Sequence, residues 1–144
     1  MSVRILIDCP PSRSNLHSGW QVQHRIDTAT HAEMWAELVE AQTLPTPHER
    51  LLLASNPVKR TVRFTRYWGG KSKEMDKGNF ISSCKHALDS LQLVMARRKL
   101  HGQIVEKQGF GLIVTDRPCH VADSYEQVKT SDSKMQGRLL VEVS

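Results

Sequence analysis

Short stretches of alternating apolar and polar residues, and longer stretches of helical period, divide this chain. Val3-Arg4-Ile5-Leu6-Ile7-Asp8 is a β-type run closed by Pro10-Pro11. Ser12 to Ser18 is polar and reads as a loop. Thr30-His31-Ala32-Glu33 has the S/T-x-x-E form of a capping box. Behind it Met34, Trp35, Leu38 and Val39 share a helical face, so a helix is expected to about Gln42, with Met34 and Trp35 in the core. Pro45 and Pro47 then mark a loop. Pro57 to Trp68 predicts a turn and a strand, with Val62 and Phe64 on one face and Thr61, Arg63 and Thr65 on the other. Gly69-Gly70 breaks that strand. After a polar loop, Asn79 is a good N-cap residue. Phe80, Ile81, Cys84, Ala87, Leu88, Leu91, Val94 and Met95 form an apolar stripe that predicts a long helix over about 80–99. Gly102 reads as its stop, beyond the basic turn Arg97-Arg98-Lys99.

The C-terminal third predicts β structure. Leu112-Ile113-Val114 is a short apolar strand, Val121 to Val128 a second, and Arg138 to Val143 a third with Leu139, Val141 and Val143 on one side. The order β, α, β, α, β, β, β predicts an α+β fold: a mixed or antiparallel sheet with two main helices packed on one face. At 144 residues the chain is the size of a single domain, 1–144, with enough length to bury one core.

Composition narrows the classes. Hydrophobic residues at 39% and charged residues at 24% suit a globular protein rather than a disordered one. No apolar run approaches the roughly 20 residues of a membrane span, and the N-terminus is too soon broken by prolines for a secretory signal. Cys9, Cys84 and Cys119 lack zinc-site spacing and read as reduced thiols, with Cys84 buried on the helical stripe, which points to the cytoplasm. His17, His24 and His31 recur every seven residues but match no ligand motif.

The net charge of +5 is unevenly placed. Lys59, Arg60, Arg63, Arg66, Lys71, Lys73 and Lys77 lie between Pro57 and Asn79, opposed only by Glu74 and Asp76. Such a cluster can neutralise phosphates and release counterions; a solvated strand face is the other reading. Tyr67 and Trp68 sit within it, and Trp68 either stacks on a base or packs at the strand end. Asp76 precedes the long helix and Asp116 follows a short strand. Carboxylates at such positions hold Mg²⁺ in phosphodiester-cutting sites, and they also serve simply as a helix cap and a turn residue.

At these residues the sequence resembles the RusA-like Holliday junction resolvases, endodeoxyribonucleases of phages, prophages and bacteria. Pro10-Pro11-Ser12 is similar to the family's N-terminal element, and Trp20-Gln21-Val22 and Met34-Trp35 to the paired Trp segments of some phage members. Arg60 to Trp68 resembles the strand before the acidic motif, and Asp76-Lys77-Gly78-Asn79-Phe80 resembles the D-x-D-N-L motif itself. Lys85 to Leu91 is similar to the helical K-x-x-x-D-x-L, and Gly111 to Asp116 to the strand ending in Asp-Asp. Tyr125-Glu126-Gln127 and Arg138 to Val143 fit the closing β elements.

The resemblance implies a homodimer that holds Mg²⁺ or Mn²⁺ and cuts paired strands of a four-way DNA junction, with one active site per subunit suited to two equivalent strands. It implies Asp76 and Asp116 as catalytic metal ligands and Lys85 near the scissile phosphate; Glu74 or Asp123, outside the motif positions, is the carboxylate expected to compensate for acids the motif lacks here. Asn79 and Asp89 support the motif, and Arg60, Arg63, Arg66, Lys71, Lys73 and Lys77 supply the DNA-binding surface. Two departures stand out: Gly78 replaces the motif's second Asp, and Thr115 the first Asp of the later pair. The segment from Val94 to Gln108 exceeds the usual family connection. An active metal-dependent endonuclease for recombination and repair is one expectation; a DNA-binding member that has lost turnover is the alternative.

Overall fold

Every second residue of the first strand is buried, as its alternation requires. The computed structural model describes residues 1–13 and 19–144; most of the expected 12–18 loop, with His17, lies outside them. Strand β1 (Val3–Asp8) buries Val3, Ile5 and Ile7. Helix α1 (Trp20–Glu40) buries the i, i+4, i+8 stripe Thr30, Met34 and Leu38. It starts ten residues before the expected capping box. Thr30 is buried mid-helix, and the Glu33 carboxylate accepts the Asp8 backbone N–H at 3.0 Å. Trp20 to Ile26 contains no Gly or Pro to stop the helix, and half-buried Val22 and Ile26 continue the Thr30, Met34, Leu38 stripe backwards at i, i+4 spacing, a pair too sparse among polar neighbours to mark a helix in the sequence. Trp35 is 51% exposed, which corrects its assignment to the core: it lies about 100° around the helix from Met34, off the narrow buried stripe.

The working capping box is Thr46-x-x-Glu49. Thr46 Oγ1 accepts the Glu49 N–H, Glu49 Oε1 accepts the Thr46 N–H, and Pro47 occupies the first turn. These start α2 (Pro47–Ser55), where a loop was expected.

Strand β2 (Arg60–Trp68) runs through the interior of the main sheet, whose order is β1-β6-β2-β5 with β5 (Val121–Lys129) and β6 (Arg138–Val143). β6 pairs antiparallel with β1 and β2, and β2 pairs parallel with β5, so the sheet is mixed as expected. Register places Ile5, Val141, Phe64 and Tyr125 in one cross-strand row. Phe64 stacks on Tyr125 at 5.1 Å between centroids, and Phe80 meets the same ring edge-on. The covered face packs with Met34 and Leu38 of α1 and with Phe80, Cys84, Ala87, Leu88 and Leu91 into one hydrophobic cluster.

The expected helix over 80–99 is divided. The stripe is real, but it forms α3 (Lys77–Ser83) and α4 (Lys85–Leu91), and Gln92 turns extended. The chain then makes a hairpin, β3 (Val94–Leu100) and β4 (Gln103–Gln108). Returning backbone ends the helix: the N–H groups of Phe110, Leu112 and Gly111 bond the carbonyls of Ser90, Leu91 and Gln92 at 2.7, 2.9 and 3.1 Å. His101 and Gly102 both have positive φ, 51° and 76°, as a two-residue type I′ hairpin turn requires; Gly102 is a turn residue and not a helix stop. The expected strand at Leu112–Val114 reduces to one bridge between Ile113 and Gln92. Among the described residues no helix is long and apolar enough to cross a membrane.

Candidate active site

Gly69 to Asp76 leaves the end of β2 and is held from beneath. Arg66 points to the covered face of β2 and is 5% exposed. Its Nη1 donates to the Lys73 carbonyl at 2.8 Å and to Gln127 Oε1 at 3.1 Å. Gln127, on β5, also accepts the Met75 N–H at 2.9 Å and donates to the Met75 carbonyl at 2.7 Å. Buried backbone groups need such partners, and here the partners hold the segment that leads to Asp76. Arg66, expected on the DNA-binding surface, is therefore an internal positioning residue.

Asp76 caps α3. Its Oδ2 accepts the N–H groups of Gly78 and Asn79 at 3.1 and 3.4 Å. Ser12 donates to Asn79 Oδ1 at 3.4 Å, which brings the Pro-Pro-Ser element to the acidic motif.

Lys85, Asp89 and Asp116 form a second group. Lys85 Nζ lies 3.1 Å from Asp89 Oδ1 and 3.3 Å from Asp116 Oδ2. Asp89 is its i+4 neighbour on one helix face; Asp116 arrives from the loop after Ile113. Partial burial pushes the Lys85 ammonium down, but the bonds to Asp89 and then Asp116 outweigh it, and the net shift is upward. Lys85 stays protonated. Gln92, 8% exposed, connects the two acids: its Oε1 accepts the Asp116 N–H at 3.2 Å, and its Nε2 donates to the Asp89 carbonyl at 3.4 Å. Thr115 bonds His120 Nδ1 at 2.7 Å and accepts the Arg117 N–H at 3.2 Å. It stabilises the turn that presents Asp116.

Of the remaining expected cations, Arg63 lies on the open sheet face, Lys71, Lys73 and Lys77 are exposed in the stretch of chain that flanks Asp76, and Arg60 is half-buried. Glu74 is exposed beside Asp76, and Asp123 accepts the Tyr125 hydroxyl at 2.7 Å. Trp68 is half-buried at the strand end with Lys129 Nζ 5.4 Å from its ring centroid. Cys84 is buried, and its thiol is pushed well up by that burial.

Beside Asp116 opens a cleft of about 670 Å³ between α2 and the base of the hairpin, whose walls carry Arg50, Arg97 and Arg117. Arg50 donates to the carbonyls of Gly109 and Leu93 at 2.5 and 2.7 Å and so fixes the hairpin base to α2. Gln92 and Arg50 belong to no motif legible in the sequence, because each acts on backbone groups distant in the chain, and Gln127, noted only within the closing Tyr125-Glu126-Gln127 element, gains its role from the Met75 backbone it bonds.

Among the described residues no three His, Cys, Asp or Glu side chains converge as a metal cluster. Mg²⁺ can be held through one or two carboxylates with water and phosphate completing the shell. Asp76 and Asp116 suit that role in kind: each uses only Oδ2 in its hydrogen bonds and leaves Oδ1 uncommitted among the described residues. No family model, curated protein or solved structure matches the chain.

Proposed function

We propose that this protein is a RusA-like endodeoxyribonuclease that cuts branched DNA, in particular four-way junctions, as a homodimer in the cytoplasm of a bacterial host. The observation that carries the reading is the Lys85–Asp89–Asp116 group at the edge of an arginine-lined cleft. A protonated lysine held between two carboxylates can offer charge to a phosphate oxygen while keeping Asp116 oriented. Lys71, Lys73 and Lys77, exposed in the stretch of chain that flanks Asp76, supply further cations for the backbone of the substrate. Asp76 and Asp116 are the residues that would hold Mg²⁺ or Mn²⁺, which would supply an activated water and charge stabilisation at phosphorus. Gln92 and Thr115 position Asp116; Arg66 and Gln127 position the segment ahead of Asp76.

A second reading is a DNA-binding protein without turnover. It is favoured by Gly78 and Thr115, which stand where the resembling family has carboxylates. Purified protein with a synthetic four-way junction, with and without Mg²⁺ or Mn²⁺, separates the two. Metal-dependent nicking supports the enzyme; tight binding without nicking, in a folded preparation, supports the second reading. Failure to bind branched DNA at low salt refutes both.

A further inference from the structure

The β3–β4 hairpin stands apart from the main sheet. Every residue from Ala96 to Gln108 is exposed, and neither strand pairs with β1, β2, β5 or β6. A two-stranded hairpin is marginal in water by itself, and this one adds no side chain to the core cluster. It is nevertheless firmly rooted, by Arg50 and by the bond from the Gly109 N–H to the Leu93 carbonyl at 3.1 Å. Its type I′ turn gives it a defined twist.

Its surface is cationic and apolar at once. Arg97, Arg98, Lys99 and Lys107 face one carboxylate, Glu106, which Arg97 already engages at 3.3 Å. Arg98, Lys99 and Lys107 have no carboxylate within ion-pair distance among the described residues. Towards the tip, Ile104 is 69% exposed and Leu100 44% exposed. Cross-strand register sets Lys99 opposite Ile104, and Leu100 opposite Gln103 at the turn. Lys99 and Ile104 share a face with Arg97 and Glu106, and this face borders the cleft that holds Asp116.

We propose that this hairpin is a DNA-binding wing: a cationic ribbon that grips one duplex arm of the substrate next to Asp116. This rests on the reading of the protein as one that binds branched DNA. A two-stranded ribbon is narrow enough to enter the roughly 12 Å major groove, and seven residues of strand extend about 23 Å. Arg98, Lys99 and Lys107 neutralise phosphates, and Leu100 and Ile104 contact the groove or the unstacked bases at the branch. Charge complementarity selects a polyanion, and the ribbon width selects the wide groove of B-DNA over the deep, narrow major groove of RNA.

The test uses the full chain, with fluorescence anisotropy on a synthetic four-way junction and on a linear duplex of one arm, in EDTA to prevent cutting. The variant is Arg98→Glu with Lys99→Glu, both exposed; Lys107 is kept because its charge acts on the half-buried His31 and His86. Its melting curve is expected to match the parent. Junction affinity should fall about tenfold or more, and the slope of log K against log salt should drop by about 1.8, at ~0.9 for each phosphate no longer neutralised. The milder pair Arg98→Gln with Lys99→Gln should move the slope in the same direction. Leu100→Ser with Ile104→Ser should weaken binding several-fold and leave the slope unchanged. If the parent binds junctions and both charge variants keep its affinity and slope, the wing is overturned while the reading of the protein stands. If duplex RNA competes better than duplex DNA, the assignment to a DNA arm is overturned. If the parent binds no branched DNA, the underlying reading falls, and the wing falls with it.

Discussion

Asp76 stands in two roles that one pair of substitutions separates. As the cap of α3 its Oδ2 accepts two backbone N–H groups, at 3.1 and 3.4 Å. As a site carboxylate it contributes a negative charge and a free oxygen. Asp76→Ala removes both. Loss of a cap costs about 1 kcal/mol, and because α3 carries the buried Phe80 against Tyr125, that cost should appear in global unfolding. For a chain of this size it corresponds to a fall in Tm of about 4 °C. Asp76→Asn keeps an oxygen acceptor of equal capping strength and removes only the charge, so its Tm should stay within about 1 °C of the parent. Both substitutions should abolish metal-dependent nicking of a four-way junction and spare binding. Calorimetry and a gel nicking assay on the same preparations check this. If Asp76→Asn loses as much stability as Asp76→Ala, the capping account is wrong. If Asp76→Asn nicks like the parent, Asp76 is not a site carboxylate.

Three further outcomes follow from the packing. Phe64→Ala removes a fully buried ring from the cross-strand row and its stack on Tyr125, and should cost about 3–5 kcal/mol in urea unfolding; a loss below about 1 kcal/mol would contradict the packing. Gly109→Ala drives a Cβ into the Gln92 carbonyl oxygen and sets it 2.8 Å from that of Ser90, backbone that cannot swing aside, so it should destabilise by about 3 kcal/mol and displace the hairpin base. Hydrogen exchange at Leu112 and Ile113, which bond Leu91, should rise in that variant and stay unchanged in Gly102→Asn, whose side chain the turn tolerates.

The pH dependence follows from two histidines between α1 and α4. Burial lowers His31, with Lys107 and His86 adding to the shift; its ring stacks on Phe110 and its Nδ1 meets Ser90 Oγ at 3.0 Å. Burial also lowers His86. Asp27, 3.5 Å away, and Asp89 pull it back without prevailing, because Asp27 is already bonded by Arg13 at 3.0 Å and the Arg13 and Lys107 charges oppose protonation. Both rings are neutral when folded and titrate near 6.5 when unfolded. As pH falls below about 6.5 the unfolded chain takes up protons first, so this stability is fully present above 6.5 and is lost as pH falls through the depressed folded values. The urea midpoint should drop between pH 7 and 5, and His31→Gln should flatten the drop; a midpoint that rises over that range would refute the neutral assignment.

Period-two alternation made the strands legible. Arg138 to Val143 was expected and found over the same residues, because inward Leu139, Val141 and Val143 can bury together only in an extended chain. The stripe from Phe80 to Leu91 was legible as helix for the matching reason. The stretch beyond it was not, since Arg97, Arg98 and Lys99 are good helix formers and β3 buries no side chain that would reveal a period of two. Of the site, the residue types near Asp76 and Lys85 were legible from local spacing.

The amino-acid sequence by itself determined which residues seek the interior and which local periods they follow, since apolar burial acts on every residue wherever the chain goes. Tertiary structure decided where those periods stop and what the polar residues do. Of two Thr-x-x-Glu segments it used Thr46, because Thr30 was needed in the core. It ended α4 with backbone returning from Phe110 to Leu112, turned Arg66 inward to the Lys73 carbonyl, and set Asp116 against Lys85 across 31 positions of sequence. Each of these is a hydrogen bond or ion pair whose partner is remote in the chain and becomes a neighbour only once the sheet and helices have packed.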